Sequence, residues 1–155
     1  MQRRRLVPSV LSVALLLGLA ACGGDDSGQA GAVVPAADGR AAREVVMRDI
    51  AFDTEALRVT VGSTVEFDFT NVGKIPHDAF IGDAEAQAEH GAEMAAMAAD
   101  GGGMDHHSMD EPAVTVQPGE SASLTYTFDT PGTYEIGCHQ PGHYEAGMKM
   151  TITVE

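Results

Sequence analysis

From Arg43 onward the chain alternates apolar and polar residues with period two, in short segments closed by Gly, Pro, Asn or Asp. This pattern restricts it to an all-β sandwich or barrel. In 64–70, for example, Val65, Phe67 and Phe69 share one parity and Glu66, Asp68 and Thr70 the other. About seven or eight strands are expected, at 44–50, 57–61, 64–70, 77–82, 113–117, 121–128, 132–138 and 148–154. Turn signals stand at Gly62-Ser63, Asn71-Val72-Gly73, Pro118-Gly119 and Pro131-Gly132. The stretch 83–111 breaks the pattern, because Ala, Glu, Met and His replace β-branched residues there. Residues 84–99 are predicted to form a helix inserted between strands and ended by Gly101-Gly102-Gly103. His90, Met94 and Met97 fall on one stripe of that helix, which is expected to pack on the sandwich. At 155 residues with no fixed-period repeat, one compact domain is expected.

Upstream of this domain, Arg3, Arg4 and Arg5 precede an apolar run from Val10 to Ala21. That is the pattern of an export signal, and the run is short for a membrane span. It ends Leu19-Ala20-Ala21-Cys22-Gly23, which resembles the bacterial lipobox. The resemblance implies cleavage before Cys22 and lipidation of that cysteine. Residues 1–21 are therefore read as a lipoprotein signal peptide, 22–42 as the lipidated Cys and a flexible tether, and 43–155 as the domain. The expected location is extracytoplasmic, at the cell surface or in the periplasm, with the membrane reached through the lipid. The Gly- and Ala-rich tether would reach about 25 Å on average. Loss of the three leader arginines leaves six Lys and Arg against 23 Asp and Glu, a formal charge of −17 with His neutral. Such a charge argues against nucleic acid as a partner and favours cations or a basic protein.

With Cys22 assigned to the lipid, Cys138 is the remaining cysteine, in a compartment where thiols normally pair. It is either a buried inert thiol or a metal ligand. Its surroundings bear on that choice, because Cys138, His143 and Met148 are spaced Cys-x4-His-x4-Met. Tyr134, Ile136 and Cys138 share one strand parity, as do Met148, Met150, Ile152 and Val154, so both sets are expected to face the core. The Pro141-Gly142 turn would let His143 fold back between these strands. A thiolate, imidazoles and a weak thioether suit copper that exchanges one electron. The best candidate for a second imidazole is His77, opening the strand 77–82 after a turn that Pro76 stiffens.

On these residues the segment from Gly132 to Thr153 resembles the C-terminal ligand loop of cupredoxins. Its Pro141-Gly142-His143-Tyr144 and Gly147-Met148-Lys149 are similar to those of auracyanins, and rusticyanin shares the spacing. The resemblance covers roughly 44–155, and His77 after an Asn-Val-Gly turn fits the family's first ligand. It implies a Greek-key β-sandwich with one type 1 copper, Cu(I)/Cu(II), held by His77, Cys138, His143 and Met148. Electrons would leave by the exposed edge of His143. Met150 shares the inward parity, but the Gly147-Met148 match favours Met148 as the axial ligand. Asp78 stands where the family often has Asn, and an ionised Asp only accepts hydrogen bonds.

Multicopper oxidases carry a His on each side of the equivalent Cys, and nitrite reductases carry one before it. Here Gly137 precedes Cys138 and no His-x-His pair is present. The protein is accordingly read as a copper binder and not an enzyme, with His139 an exposed loop residue. The expected function is one-electron transfer by a monomer to a membrane-bound redox partner. The alternative is copper capture or copper resistance through the Met/His-rich insert, with Met104, His106, His107 and Met109 as a second copper site.

Overall fold

The structure is a computed structural model that describes residues 31–32, 40–100 and 111–155. The leader 1–21, Cys22, most of the tether, and Met104, His106, His107 and Met109 lie outside the described residues. The strands are β1 (Gly31–Ala32), β2 (Arg40–Arg48), β3 (Ala51–Phe52), β4 (Ala56–Val59), β5 (Thr64–Asn71) and β6 (His77–Gly82). Helix α1 (Ala84–Ala99) follows, and then β7 (Ala113–Val116), β8 (Ser121–Thr127), β9 (Gly132–Gly137) and β10 (Lys149–Val154). One sheet has the order β1-β4-β10-β9-β6-β7 and the other β3-β2-β5-β8. The expected Greek-key sandwich with a helical insert is therefore the observed architecture.

The alternation explains the packing. Val65, Phe67, Phe69 and Asn71 of β5 are buried, as are Met150, Ile152 and Val154 of β10, while the residues between them are exposed or half-buried. Phe67 stacks on Phe69 with ring centroids 6.1 Å apart and meets Phe128 edge-on at 6.4 Å. Each such side chain contributes roughly 1.5–3 kcal/mol through burial. Strand β6 departs from the alternation, with all six residues buried. One of its faces meets the core and the other lies under α1. Asp83 caps the helix by accepting from the Ala86 amide. Gln87, itself buried, donates to the carbonyls of Phe80 in β6 and Glu135 in β9, fastening the helix to both strands.

Two boundaries differ from the sequence reading. Strand β2 begins at Arg40, inside the stretch read as tether, and Gly31–Ala32 pairs in parallel with β4. Ala41 is 2% exposed, so the alternation runs further upstream than Arg43, carried there by a side chain too small to announce it. The strand expected at 44–50 is interrupted, because Ile50 takes a φ of 61° and the chain turns back so that Phe52 pairs with Met47. No helix among the described residues is long and apolar enough to cross a membrane.

Candidate metal centre

Four chain segments converge at one end of the sandwich. The first approaches His77. Asn71, wholly buried at the end of β5, donates to the carbonyls of Ile75 and Val116 at 2.9 Å each, while its Oδ1 accepts from the Gly73 amide. The Asp49 carboxylate accepts from the Lys74 amide at 2.7 Å. These bonds fix the loop that delivers His77, so its rigidity comes chiefly from Asn71, which the sequence reading treated only as part of a turn.

The second and third segments are the end of β9 and the turn that follows. Cys138 donates its amide to the Met148 carbonyl at 3.1 Å, and the Met148 amide donates to the His143 carbonyl at 3.0 Å. The turn is closed internally by the His143 amide to the Gln140 carbonyl and the Gly147 amide to the Tyr144 carbonyl. Gly142 and Gly147 have φ of 78° and 98°, the left-handed region where glycine carries no Cβ penalty. The fourth segment is the start of β10, where Met148 is wholly buried immediately before the first strand residue.

Cys138 Sγ lies 3.3 Å from His143 Nδ1 and 3.9 Å from His77 Nδ1, and the three donors all sit within 4.8 Å of one another. Donors held at about 2.0–2.3 Å around one ion are separated by about 3.3–4 Å, so the site is already at ligating dimensions. His77 and Cys138 are fully buried and His143 is 9% exposed, which makes His143 the member nearest solvent. Burial lowers the pKa of His77, helped by His143, and burial also lowers that of His143. Both imidazoles are thus kept neutral and able to ligate. Burial and then the nearby Asp78 charge push the Cys138 thiol up, partly offset by backbone amides of Asp78 and Gln140. A thiol held protonated in such a place is stabilised as thiolate only by a cation. Two imidazoles, a thiolate and a buried thioether fit copper, with Met148 arranged alongside the other three.

A supporting layer lies beyond these four. Asp78 is buried; its amide donates to Cys138 Sγ at 3.4 Å and its carboxylate accepts from the His139 amide. An Asp in place of Asn therefore still braces the ligand loop, as an acceptor. His139 is not the exposed loop residue that its sequence position suggested. Its ring stacks on Tyr144 with centroids 4.6 Å apart, and its Nε2 is 2.8 Å from Gln87 Oε1. Burial lowers its pKa to about 4. Helix α1 covers it because Gly91 leaves room, since a Cβ there would stand 3.0 Å from His139 Nδ1. Of the Met/His residues in the insert, Met94 is buried and Met97 half-buried, as packing residues would be.

Comparisons with known proteins agree with this geometry. The family described as copper binding proteins, plastocyanin/azurin family, matches residues 41–155. A copper-resistant cuproprotein CopI from Pseudomonas aeruginosa is 37% identical over 98% of this chain and 98% of its own length. Its namesake from Rubrivivax gelatinosus is 35% identical over 99% of each chain. A dithionite-reduced auracyanin from Roseiflexus castenholzii superimposes with a TM-score of 0.62 at 27% identity, covering 74% of this chain and 96% of that one.

Proposed function

The chain belongs to the plastocyanin/azurin family of copper-binding proteins, and we propose that it uses a type 1 copper centre for one-electron transfer outside the cytoplasm. The observation that carries this reading is the buried thiol of Cys138 with two imidazole nitrogens at 3.3 and 3.9 Å. Copper bound there supplies a one-electron couple between Cu(II) and Cu(I). The chain's own residues hold the donors in one arrangement, exclude water from Cys138 and leave the His143 edge as the point of contact for a redox partner. In the cell, a lipid on Cys22 would keep a monomeric domain close to a membrane-bound partner.

A second reading is copper resistance, favoured by the names of relatives matched over nearly their whole length. In that role the protein captures copper, and Met104, His106, His107 and Met109 would take ions beyond the first. One experiment separates the two. The domain from Gly23 onward is titrated with Cu(II) and then with Cu(I), with Cys138→Ser as control, while absorption and electron paramagnetic resonance are recorded. Electron transfer predicts one copper per chain, with an intense blue band that ascorbate bleaches reversibly and that the control lacks. Capture predicts further Cu(I) equivalents that survive in the control. A protein that binds copper equally well without Cys138 and shows no blue band overturns the electron-transfer reading.

A further inference from the structure

A separate group of potential ligands lies on the outer face of the six-stranded sheet. His90 of α1 and Glu111, the residue that leads into β7, approach each other with Nδ1 and Oε1 3.4 Å apart. Glu93 stands one helical turn from His90, at i+3, on the same side of α1. Donor atoms of His90, Glu93 and Glu111 all fall within 4.8 Å of one another. The imidazole is 3% exposed and is held in a fixed plane by Phe80, whose ring stacks on it at 4.0 Å and 6°. These groups line a cavity of about 470 Å³ that Asp83 and Glu89 also border, so four carboxylates and one imidazole share one recess.

We infer that His90, Glu93 and Glu111 form a second metal site, for a divalent first-row cation. The site goes beyond the blue-copper reading and does not rest on it. Several carboxylates in one recess of an already acidic domain repel one another, and a divalent ion removes that repulsion while the acidic lining raises its local concentration. One nitrogen and two carboxylate oxygens, with no sulfur, select Cu(II) or Zn(II) over Cu(I), and Cu(II) binds tighter than Zn(II) in a site of this type. The soft thiolate centre and the hard recess are therefore complementary in the copper oxidation state they favour. They also share a wall. The His90 ring meets the His139 ring edge-on with centroids 5.1 Å apart, and His139 follows Cys138 in the chain.

The test uses the full chain with the Cys138 centre already filled with copper. Zinc chloride is added first, with binding read by calorimetry, because zinc is spectroscopically silent and leaves the blue band as an independent monitor. The expected result is one further equivalent of Zn(II), matched by a second Cu(II) with the broad hyperfine splitting of a nitrogen–oxygen site. The exposed-to-half-buried pair Glu93→Gln and Glu111→Gln is expected to weaken that equivalent at least about tenfold, the lower end of what losing even an outer-shell partner costs. The blue band should not change. A variant with Met104, His106, His107 and Met109 all replaced by Ala should bind the second ion as before. The inference is overturned if the wild type takes up no second ion or if the double Gln variant binds it unchanged. It is overturned equally if the Ala variant loses it with Glu93 and Glu111 intact, which would move the site to 104–109.

Discussion

Asp78 is bonded to Cys138, 60 residues away, and to the residue that follows it. The Asp78 amide donates to the Cys138 sulfur at 3.4 Å, and the Asp78 carboxylate accepts from the amide of His139, the next residue after Cys138. Strand β6 thus supplies the ligand His77 and, in the following residue, the brace that positions the thiolate just past the end of β9. Both contacts depend on the antiparallel pairing of β6 with β9, in which Phe80 faces Gly137.

Asp78→Asn is expected to raise the midpoint potential of the copper-loaded protein. The carboxylate lies close enough to push the Cys138 thiol up, and the same negative charge favours Cu(II) over Cu(I). Removing it takes away on the order of 1–3 kcal/mol of that preference, about 40–130 mV for one electron. The Asn oxygen can still accept from the His139 amide, so the blue band should persist. Spectroelectrochemical titration checks the sign, and an unchanged or lower potential would refute it.

Gly137→Ala is expected to destabilise the fold by roughly 1–3 kcal/mol. A Cβ at this position would stand 2.6 Å from Gln87 Oε1 and 2.8 Å from two carbons of the Tyr144 ring. Gln87 is committed to the Phe80 and Glu135 carbonyls and to His139, and Tyr144 to His139 and the Glu135 carboxylate, so neither can yield without loosening the ligand loop. Urea denaturation of the apo protein measures the loss. The same crowding disfavours a histidine at this position, where multinuclear copper enzymes carry one.

Much of this was legible because a β-sandwich writes its burial as period two. The parity of Ile136 and Cys138, and of Met148, Met150 and Ile152, foretold which side chains face inward, and all of them are buried. Turn residues closed the strands where expected, with Gly62 and Gly119 at φ of 82° and 81°. What stayed hidden depends on contacts between distant segments. His139 looked exposed because its ring is buried by distant segments, by α1 folded back over the ligand loop with Gly91 beneath it and by Phe80 of β6, together with Tyr144. Asn71 read as turn punctuation, whereas its three hydrogen bonds require the Val116 strand and the Ile75 loop to be in place. The first strand was clipped because Ala41 is a weak apolar signal even when fully packed.

Met148→Gln is expected to lower the midpoint potential, and Met150→Leu to leave it nearly unchanged. Both methionines are wholly buried, but Met150 pairs with Ile136 within the β9–β10 ladder, whereas Met148 exchanges backbone hydrogen bonds with Cys138 and His143. An amide oxygen in place of the thioether is a harder donor and favours Cu(II). Potentiometry and the copper hyperfine splitting of the two variants check the assignment. A raised potential and altered hyperfine splitting in Met150→Leu, with Met148→Gln unchanged, would give the axial role to Met150.

His139 makes stability depend on pH. Its pKa is lowered by burial to about 4, with the neighbouring His90 acting in the same direction, against 6.5 when unfolded. Between those values the unfolded chain binds a proton that the folded chain refuses, so stability is full above pH 6.5 and declines as pH falls towards 4. Allowing for partial solvent screening, this one group contributes up to about 2 kcal/mol of the decline. His139→Phe keeps a ring against Tyr144 but cannot take up a proton. The variant loses the bond to Gln87 and is less stable at pH 7.5, yet its stability should fall less between pH 6.5 and 4.5 than the wild type's. His77 and His143, also lowered by burial, are present in both proteins and cancel in the comparison. Urea midpoints of the two apo proteins across that range supply the measurement, and parallel curves would show that another group carries the acid sensitivity.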